Sequence, residues 1–497
     1  MHKEILVNAE PQEIRVAMLE NNILEEFYVE RADQKTIVGN IYKAKVSTIV
    51  PGIEAAFIDL GLEKNGFLYV ADIIGPSPEM QDITEEEEPR PGRNLGQGHN
   101  NIQNLLKKNQ QIIVQVVKES FGTKGVRLTT NISLPGRYLV LSPTRKQIGI
   151  SKKIDDPKER DRIRSIIKEI KMPPDMGLIV RTAGMGKTKK DFIRDFKYLY
   201  GLWRKIKATA ARKNPPAVVH EEQDLILRVV RDFVTEDISR IVVDSKLEYK
   251  RISKFLKILV PQMRNRLLMH AQDEPLFVKK GIDKEIEKIY QRRVDLKSGA
   301  YIVIEPTESL VTIDVNTGRY TGKKRLEDTV FEVNIEAARE IARQIRLRDL
   351  GGIIITDFID MESMGNRRKV MAVLEEETKR DKAKINIFSW SELGLVQMSR
   401  QRVRKSVGSL AYRQCPYCQG RGIVKSITTM SITAMRMIKN FLKQSGKREA
   451  QVSVHPDLAS RLFNEDRVLI ENLERMLRAK IVIKPESSLH LEDVRIE

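Results

Sequence analysis

Two aspartates stand where acids are least at home. Asp314 follows the apolar run Leu310-Val311-Thr312-Ile313, and Asp357 follows Ile353-Ile354-Ile355-Thr356. Such runs read as buried strands, and in an α/β layer the C-terminal ends of neighbouring strands open on one sheet edge. Two ionised carboxylates brought together there repel one another and lose solvation. A divalent cation relieves both problems. Mg²⁺ suits the pair, because it takes hard oxygen ligands, keeps several waters and needs only one or two protein carboxylates beside phosphate oxygens. The chemistry that follows is water attack on a phosphodiester. Asn316, two residues beyond Asp314, lies on the same strand face, where it would orient the water or the phosphate. The structural alternative makes Asp314-Val315-Asn316-Thr317-Gly318 an ordinary turn and Asp357 a helix cap. Asp360 and Glu362 lie close by, and strand alternation leaves their role open.

The only two cysteines fall in Cys415-Pro416-Tyr417-Cys418-Gln419-Gly420-Arg421-Gly422, which has the tight-turn form of a zinc knuckle. A structural zinc wants four ligands, and this segment supplies two thiolates with no histidine near in sequence. The missing pair comes most simply from the same loop of a second copy, so that a symmetric homodimer shares one Cys₄ zinc. The alternatives are an inert loop and a redox Cys-x-x-Cys, for which the sequence offers no thioredoxin-like context.

Other chemistries find less support. The histidines (His2, His99, His220, His270, His455 and His490) are scattered, which disfavours a His pair or a Ser-His-Asp triad. Gly186-Lys187-Thr188 imitates the end of a phosphate-binding P-loop, but Arg181 occupies the place of the first glycine, and ATP hydrolysis of that kind is excluded. Arg181-Thr182-Ala183-Gly184 still offers a guanidinium, a hydroxyl and supple backbone, a mount for a single phosphate.

The elements that must position these groups are legible in outline. Tyr301 to Glu305 and Leu310 to Val315 read as strands. A helix follows from about Glu327 to Asp349, with Val330, Val333, Ala337, Ile341 and Ile345 on one face and Gly351-Gly352 to end it. Near the start, Lys3 to Ala9, Glu13 to Leu19 and Ile23 to Glu30 alternate as a meander with Asn21-Asn22 at a turn. Three short strands cannot bury a core alone, so the meander is expected to join a later segment, with Asp224 to Gln291 the candidate. Between them, short strands from Val38 to Leu68 and from Gln111 to Glu119 suit an OB-type barrel. Phe57 and Phe67, with Lys43, Lys45, Lys118 and Lys124, would stack bases there and hold phosphates; the alternative buries both rings as core. Pro76 to Asn101, rich in Pro, Gly and acid, reads as a disordered insertion. A further region, Asn131 to Pro216, closes with a basic amphipathic helix over Asp191 to Arg212 that Lys213-Asn214-Pro215-Pro216 stops.

Composition names the partner. Lys and Arg total 87 against 68 Asp and Glu, a formal charge of +19, and that field collects polyanions. No run approaches the roughly 20 apolar residues of a spanning helix, and the start shows no signal-peptide pattern, so nucleic acid is favoured over membrane. Scarce cysteine points to a reducing, cytoplasmic setting. Ser399-Arg400-Gln401-Arg402-Val403-Arg404-Lys405 would grip a nucleic-acid backbone, or else is plain surface.

In order and over nearly the whole chain, the residues resemble the ribonuclease E/G family. The markers are Gly52 to Gly61, Arg181 to Gly184, Thr312 to Asn316, Arg346 to Gly352, Asp357 to Met361, Met398 to Arg402 and Cys415 to Cys418. The length resembles that of the family's shorter members, without a long disordered C-terminal scaffold. The resemblance implies a Mg²⁺-dependent endoribonuclease that cuts AU-rich single-stranded RNA, including ribosomal RNA precursors and messenger RNA. It implies 5′-phosphate and 3′-hydroxyl products and a preference for 5′-monophosphorylated substrates. By motif, Asp314 and Asp357 are similar to the magnesium ligands and Asn316 to their hydrogen-bonding companion. Arg181 and Thr182 look like the 5′-phosphate sensor, with Gly136 and Val140 beside the terminal nucleotide. Phe57, Phe67 and Lys124 resemble the RNA contacts of an OB domain, and Cys415 and Cys418 the zinc-link.

The implied fold is multidomain, α+β and α/β. A ribonuclease-H-like layer (1–36 and 224–291) is interrupted by an OB-fold barrel (37–130) and a sensor domain (131–223). A DNase-I-like catalytic domain (292–411), a zinc-link (412–425) and a small α/β domain (426–497) follow. A homodimer or tetramer is expected. The acidic insertion departs from the family pattern. The contrasting reading is a non-catalytic RNA-binding or ribosome-assembly factor in which the acids are structural.

Overall fold

Three alternating segments, Lys3–Ala9 (β1), Glu13–Glu20 (β2) and Ile23–Arg31 (β3), pair antiparallel, with Asn21 and Asn22 both left-handed at the turn. The computed structural model describes residues 2–74, 101–119, 125–146, 148–307, 309–318, 326–401, 408 and 411–497. Lys124, nearly all of the acidic insertion and Arg402 to Lys405 lie outside those residues.

The chain then leaves the first layer. Ile41–Val50 (β4), Ala55–Asp59 (β5), Gly66–Tyr69 (β6), Gln111–Lys118 (β7) and Arg127–Thr129 (β8) run β4-β5-β6-β8-β7, and β7 pairs back onto β4. This is a closed five-stranded barrel. Ala44, Val46, Ile58, Leu68, Val114 and Leu128 fill its interior, and closure satisfies backbone edges that an open sheet would expose. A small sheet follows, made of Leu134–Pro135 (β9), Leu139–Ser142 (β10), Ile148–Ile150 (β11) and Gly177–Val180 (β12), in the order β11-β12-β10-β9. The Lys189–Arg212 helix backs it with Phe192, Phe196, Leu199, Trp203 and Ile206, and Thr188 with Asp191 forms a capping box at its start.

Ala217–His220 (β13) pairs with β4, and the Leu225–Phe233 helix returns the chain to the first layer. There Ile238–Val243 (β14) lies parallel to β1, and Leu267–Met269 (β15) parallel to β14, giving the order β15-β14-β1-β2-β3. Strand β1 explains why the meander needed this segment. Its residues are apolar toward both faces: Ile5 and Val7 pack with Ile226 and Leu256, while Leu6 packs with Phe277. A strand buried on both sides belongs in the middle of a sheet.

The last layer of residues 1–407 comprises Arg293–Asp295 (β16), Tyr301–Pro306 (β17), Leu310–Asn316 (β18), Gly352–Asp357 (β19), Ile385–Ile387 (β20) and Leu395–Arg400 (β21). Its order is β16-β17-β18-β19-β21-β20, with β18 and β19 parallel. The Leu326–Arg348 helix joins those two strands, as a parallel pair requires. With the Met364–Thr378 helix it covers one face, burying Val333, Ala337, Ile341 and Ile345 against Ile313, Val315 and Ile354. The long helix ends differently from expectation. Asp349, not a glycine, takes the left-handed position after its last residue (φ 48°), its carboxylate held by Arg400 at 2.6 Å, and Gly352 opens β19.

Residues 408–497 form a second unit. There the Ile427–Ser445, Pro456–Asn464 and Arg467–Leu477 helices pack with Glu449–Val454 (β22), Lys480–Pro485 (β23) and Val494–Ile496 (β24), ordered β23-β22-β24. Among the described residues no helix is long and apolar enough to cross a membrane.

Candidate active site

Strand alternation sorts the residues at the parallel pair. Ile313, Val315 and Thr356 point to the helix-covered face and are buried, while Asp314 and Asp357 take the open face and are exposed. The parallel register places Asp314 opposite Asp357, the last residue of β19. Asn316 Nδ2 donates to Asp314 Oδ2 at 2.8 Å, which fixes one carboxylate of the pair. Partial burial, then the charges of Asp314 and Asp360, raise the pKa of Asp357 above the ordinary carboxylate value. A carboxylate whose proton affinity is raised by its neighbours is one that a cation would relieve.

The donor set decides which cation fits. Among the described residues no three His, Cys, Asp or Glu side chains gather to hold a metal ion. A pair of carboxylates with one amide leaves most coordination positions to water and phosphate, which suits Mg²⁺ and not a closed structural site. The helix-cap alternative for Asp357 fails, because Ser363 caps the Met364–Thr378 helix with its Oγ accepting from the Asn366 N–H at 3.3 Å. Nor is Asp314 a turn residue; it lies within β18.

Two positioning residues escaped the sequence reading. Asn334, fully buried on the long helix, donates from Nδ2 to the Ile359 carbonyl at 2.8 Å and accepts the Ile359 N–H at 3.1 Å. Glu327 accepts the N–H groups of Glu362 and Ser363, each at 3.2 Å, and the Asn366 amide at 3.1 Å. Together they fix the loop after Asp357. The available signal was Asn334 itself, a polar residue four positions after Val330 on an apolar stripe. Arg400 corrects the reading of the basic run: its guanidinium is buried and bonds Asp381 at 2.8 Å, Asp349 at 2.6 Å and the Leu350 carbonyl at 2.8 Å, so it ties elements together and reaches no solvent-borne backbone.

The proposed phosphate mount is built around β12. Arg181 follows that strand and donates from Nη1 to the Gly136 carbonyl at 2.7 Å and to Asp232 at 2.6 Å. Thr182 Oγ1 lies 3.0 Å from Ser151 Oγ. A Cβ on Gly136 would fall 2.7 Å from both carboxylate oxygens of Asp195, which accepts the N–H groups of Arg137, Tyr138 and Leu139, so a larger residue there would have to displace that carboxylate. Val140 is buried against Ile179. The structure thus brings Gly136 and Arg181 together, pairs Thr182 with Ser151, and puts Val140 beneath the surface.

Four barrel strands line up a row of outer-face residues. Phe57 pairs with Phe67, Phe67 with Arg127, and Arg127 with Lys118 in consecutive registers across β5, β6, β8 and β7. Both phenylalanines are half-buried and meet edge to face at 5.4 Å, so neither belongs to the barrel core. Tyr69, missed in the sequence though it lies two residues from Phe67 on the same face, contacts Phe67 at 4.3 Å and is 40% exposed. Arg127 stands 5.5 Å over the Tyr69 ring and is pinned by Asp72 through bonds of 2.8 and 3.0 Å. Lys43, by contrast, spends its ammonium on the Lys213 carbonyl at 3.0 Å.

A family model described as "Ribonuclease E/G family" matches residues 133–403, and another described as "RNase E/G, Thioredoxin-like domain" matches 414–497. The chain is 38% identical over 487 residues to ribonuclease G of Escherichia coli K12, covering 98% of each chain. It is 36% identical over 490 residues to ribonuclease G of Haemophilus influenzae, again 98% of each. With ribonuclease E of Haemophilus influenzae it shares 36% identity over 489 residues, 98% of this chain and 51% of that one. The chain belongs to the ribonuclease E/G family.

For a ribonuclease E/G chain, Cys415 and Cys418 sit at the very start of the thioredoxin-like segment, before its first helix at Ile427. The match corrects the sequence reading, which found no thioredoxin-like context, although neither cysteine stands at the helix N-terminus that would activate a redox thiol. The Gly422 N–H donates to Cys418 Sγ at 3.3 Å and lowers that thiol's pKa. His490 is near but engaged: Nδ1 accepts from the Glu492 N–H at 3.1 Å, and Nε2 lies 2.7 Å from the Tyr417 carbonyl. The loop thus brings two thiols together beside an imidazole whose ring nitrogens are both engaged.

Proposed function

We propose that this endoribonuclease of the E/G family cuts single-stranded, AU-rich RNA by Mg²⁺-dependent hydrolysis, leaving 5′-phosphate and 3′-hydroxyl ends. The register that sets Asp314 against Asp357 on an open sheet face carries the proposal. Those two carboxylates would hold Mg²⁺, which when bound supplies Lewis acidity toward a scissile phosphate and an attacking water. Asn316 holds Asp314 in one orientation, and Asn334 with Glu327 keeps the loop beyond Asp357 from collapsing into the site. The open face leaves room for an extended strand.

Other features support the substrate class. The half-buried Phe57 and Phe67, with Tyr69, offer π-faces to bases that a duplex would hide, and Lys118 and Arg127 continue the row as phosphate partners. On this reading the barrel is an OB-type platform, β1–β3 with β14 and β15 a ribonuclease-H-like layer, and β16–β21 a DNase-I-like catalytic domain. Arg181 and Thr182 sense a 5′-monophosphate, with Gly136 and Val140 in the backbone beside the terminal nucleotide. Cys415 and Cys418 share a zinc across a homodimer. Ribosomal RNA precursors and messenger RNA in the cytoplasm are the substrates.

The test is single-turnover cleavage of a 5′-monophosphorylated AU-rich oligonucleotide with Mg²⁺ and then with EDTA. Cleavage in Mg²⁺ alone, with product ends ligatable as 5′-phosphates, is expected. Intact RNA in both arms, with tight binding retained, would replace the enzyme by an RNA-binding or ribosome-assembly factor.

A further inference from the structure

Arg181 is anchored at one end only. Its Nη1 gives one hydrogen to the Gly136 carbonyl and one to Asp232 Oδ1, which exhausts that nitrogen. The opposite edge, Nε–H with Nη2–H, meets no partner among the described residues, and the side chain is 28% exposed. That edge is the planar fork which takes a phosphate in two parallel bonds.

Asp232 is itself held on every side. Arg231 donates from Nε to Oδ1 and from Nη2 to Oδ2, each at 3.2 Å, and is nearly buried. Lys382, from the turn before β20, donates to the Asp232 carbonyl at 2.8 Å while its ammonium sits 3.0 Å from the centre of the Phe233 ring. Burial works against the Asp232 charge, but Arg181 and Arg231 hold its carboxyl well below the usual range, so it is ionised at neutral pH. Asp232 lies in the last turn of the Leu225–Phe233 helix, outside the 131–223 segment to which sequence confined the sensor.

We propose that Asp232 is the positioning residue of the 5′-end site: by pinning Nη1 of Arg181 it aims the free guanidinium edge at a terminal phosphate monoester. The inference rests on the reading of Arg181 as the phosphate sensor. An arginine left unpinned would pay side-chain entropy on each binding event and would neutralise any nearby anion without selecting a chain end.

The experiment compares two oligonucleotides that differ only in a 5′-phosphate or a 5′-hydroxyl, and reads the ratio of their kcat/KM values. The proteins are wild type, Asp232→Ala, Asp232→Asn, Arg181→Ala and the Asp232→Ala/Arg181→Ala double variant. Loss of a charge-assisted bond predicts a fall in the ratio of roughly tenfold for Asp232→Ala, carried by KM, with a smaller fall for Asp232→Asn, which keeps the acceptor. The double variant should fall no further than Arg181→Ala, because the aspartate acts only through the arginine. Full preference in Asp232→Ala beside lost preference in Arg181→Ala overturns the proposal and spares the sensor. A further fall in the double variant also overturns it. Unchanged preference in Arg181→Ala withdraws the sensor reading itself. Should Asp232→Ala fail to fold, the isosteric Asp232→Asn carries the same comparison.

Discussion

Asp314 and Asp357 are direct neighbours across two parallel strands, joined by a helix that buries its apolar stripe on the opposite face. Adjacent strands lie about 4.8 Å apart, so the two carboxylates are within reach of one ion. Replacing either by asparagine keeps shape and removes charge. Asp314→Asn or Asp357→Asn should cost on the order of 10²–10³ in single-turnover cleavage while RNA affinity stays within about twofold. Fluorescence anisotropy for binding and gel-resolved cleavage for rate check this; activity above a tenth of wild type would remove these residues from the metal site.

Acid and metal should act on the same pair. The pKa of Asp357 is raised by its burial and by Asp314 and Asp360, so the folded chain holds this proton more tightly than the unfolded one. Its contribution to stability is therefore most favourable below the unfolded value, near 3.8, and is lost as the pH rises through the higher folded value. At neutral pH the metal-free protein carries the repulsion. Mg²⁺ should raise the unfolding midpoint of wild type but not of Asp314→Asn, and Asp357→Asn should unfold at a higher temperature than metal-free wild type. Calorimetry with and without EDTA decides; a midpoint indifferent to Mg²⁺ in all three proteins contradicts the assignment.

The strands that carry Asp314 and Asp357 were readable because a charged residue ending an apolar run is a local feature, and strand period then dictates its face. The barrel and the split first layer were readable for a related reason: strands too few to bury a core must find partners elsewhere. What could not be read were groups whose role is created by distant contacts. Arg400 looks like its basic neighbours in sequence, yet Asp381 and Asp349 bury it. Tyr69 gains meaning only once β6 lies beside β8 and brings Arg127 over its ring. Asp232 lies far along the chain from Arg181, and only the return to the first layer unites them.

Arg400 yields a stability prediction. Its side chain and that of Asp381 are each 5% exposed, and removing one partner strands the other without solvent. Asp381→Ala should lower the free energy of unfolding by about 3–5 kcal/mol, measured by urea titration, whereas breaking an exposed pair such as Lys379 with Glu376 should leave the transition where it is. A loss under about 1 kcal/mol for Asp381→Ala would return Arg400 to the pool of candidate RNA contacts.

Tyr69 separates a base platform from a decorative ring. Stacking on an aromatic is worth roughly 1–3 kcal/mol per base, so Tyr69→Ala should weaken binding of a short single-stranded RNA by about fivefold or more. Affinity for a blunt duplex should not change, since its bases are already stacked. Equal weakening for both RNAs would mean that the substitution disturbed the barrel and not a stacking position.

Cys415 and Cys418 make a claim about assembly. The Gly422 N–H lowers the Cys418 pKa, which favours the thiolate a metal needs, while His490 has both ring nitrogens engaged and cannot complete the set within the chain. Cys415→Ser should therefore lower zinc content and weaken self-association together, by sedimentation and by atomic absorption on the same sample. Wild type should bind half a zinc per chain. A stoichiometry of one, or a mutant that loses zinc yet associates as strongly as wild type, would place the missing ligands within a single subunit and leave the dimer to some other surface.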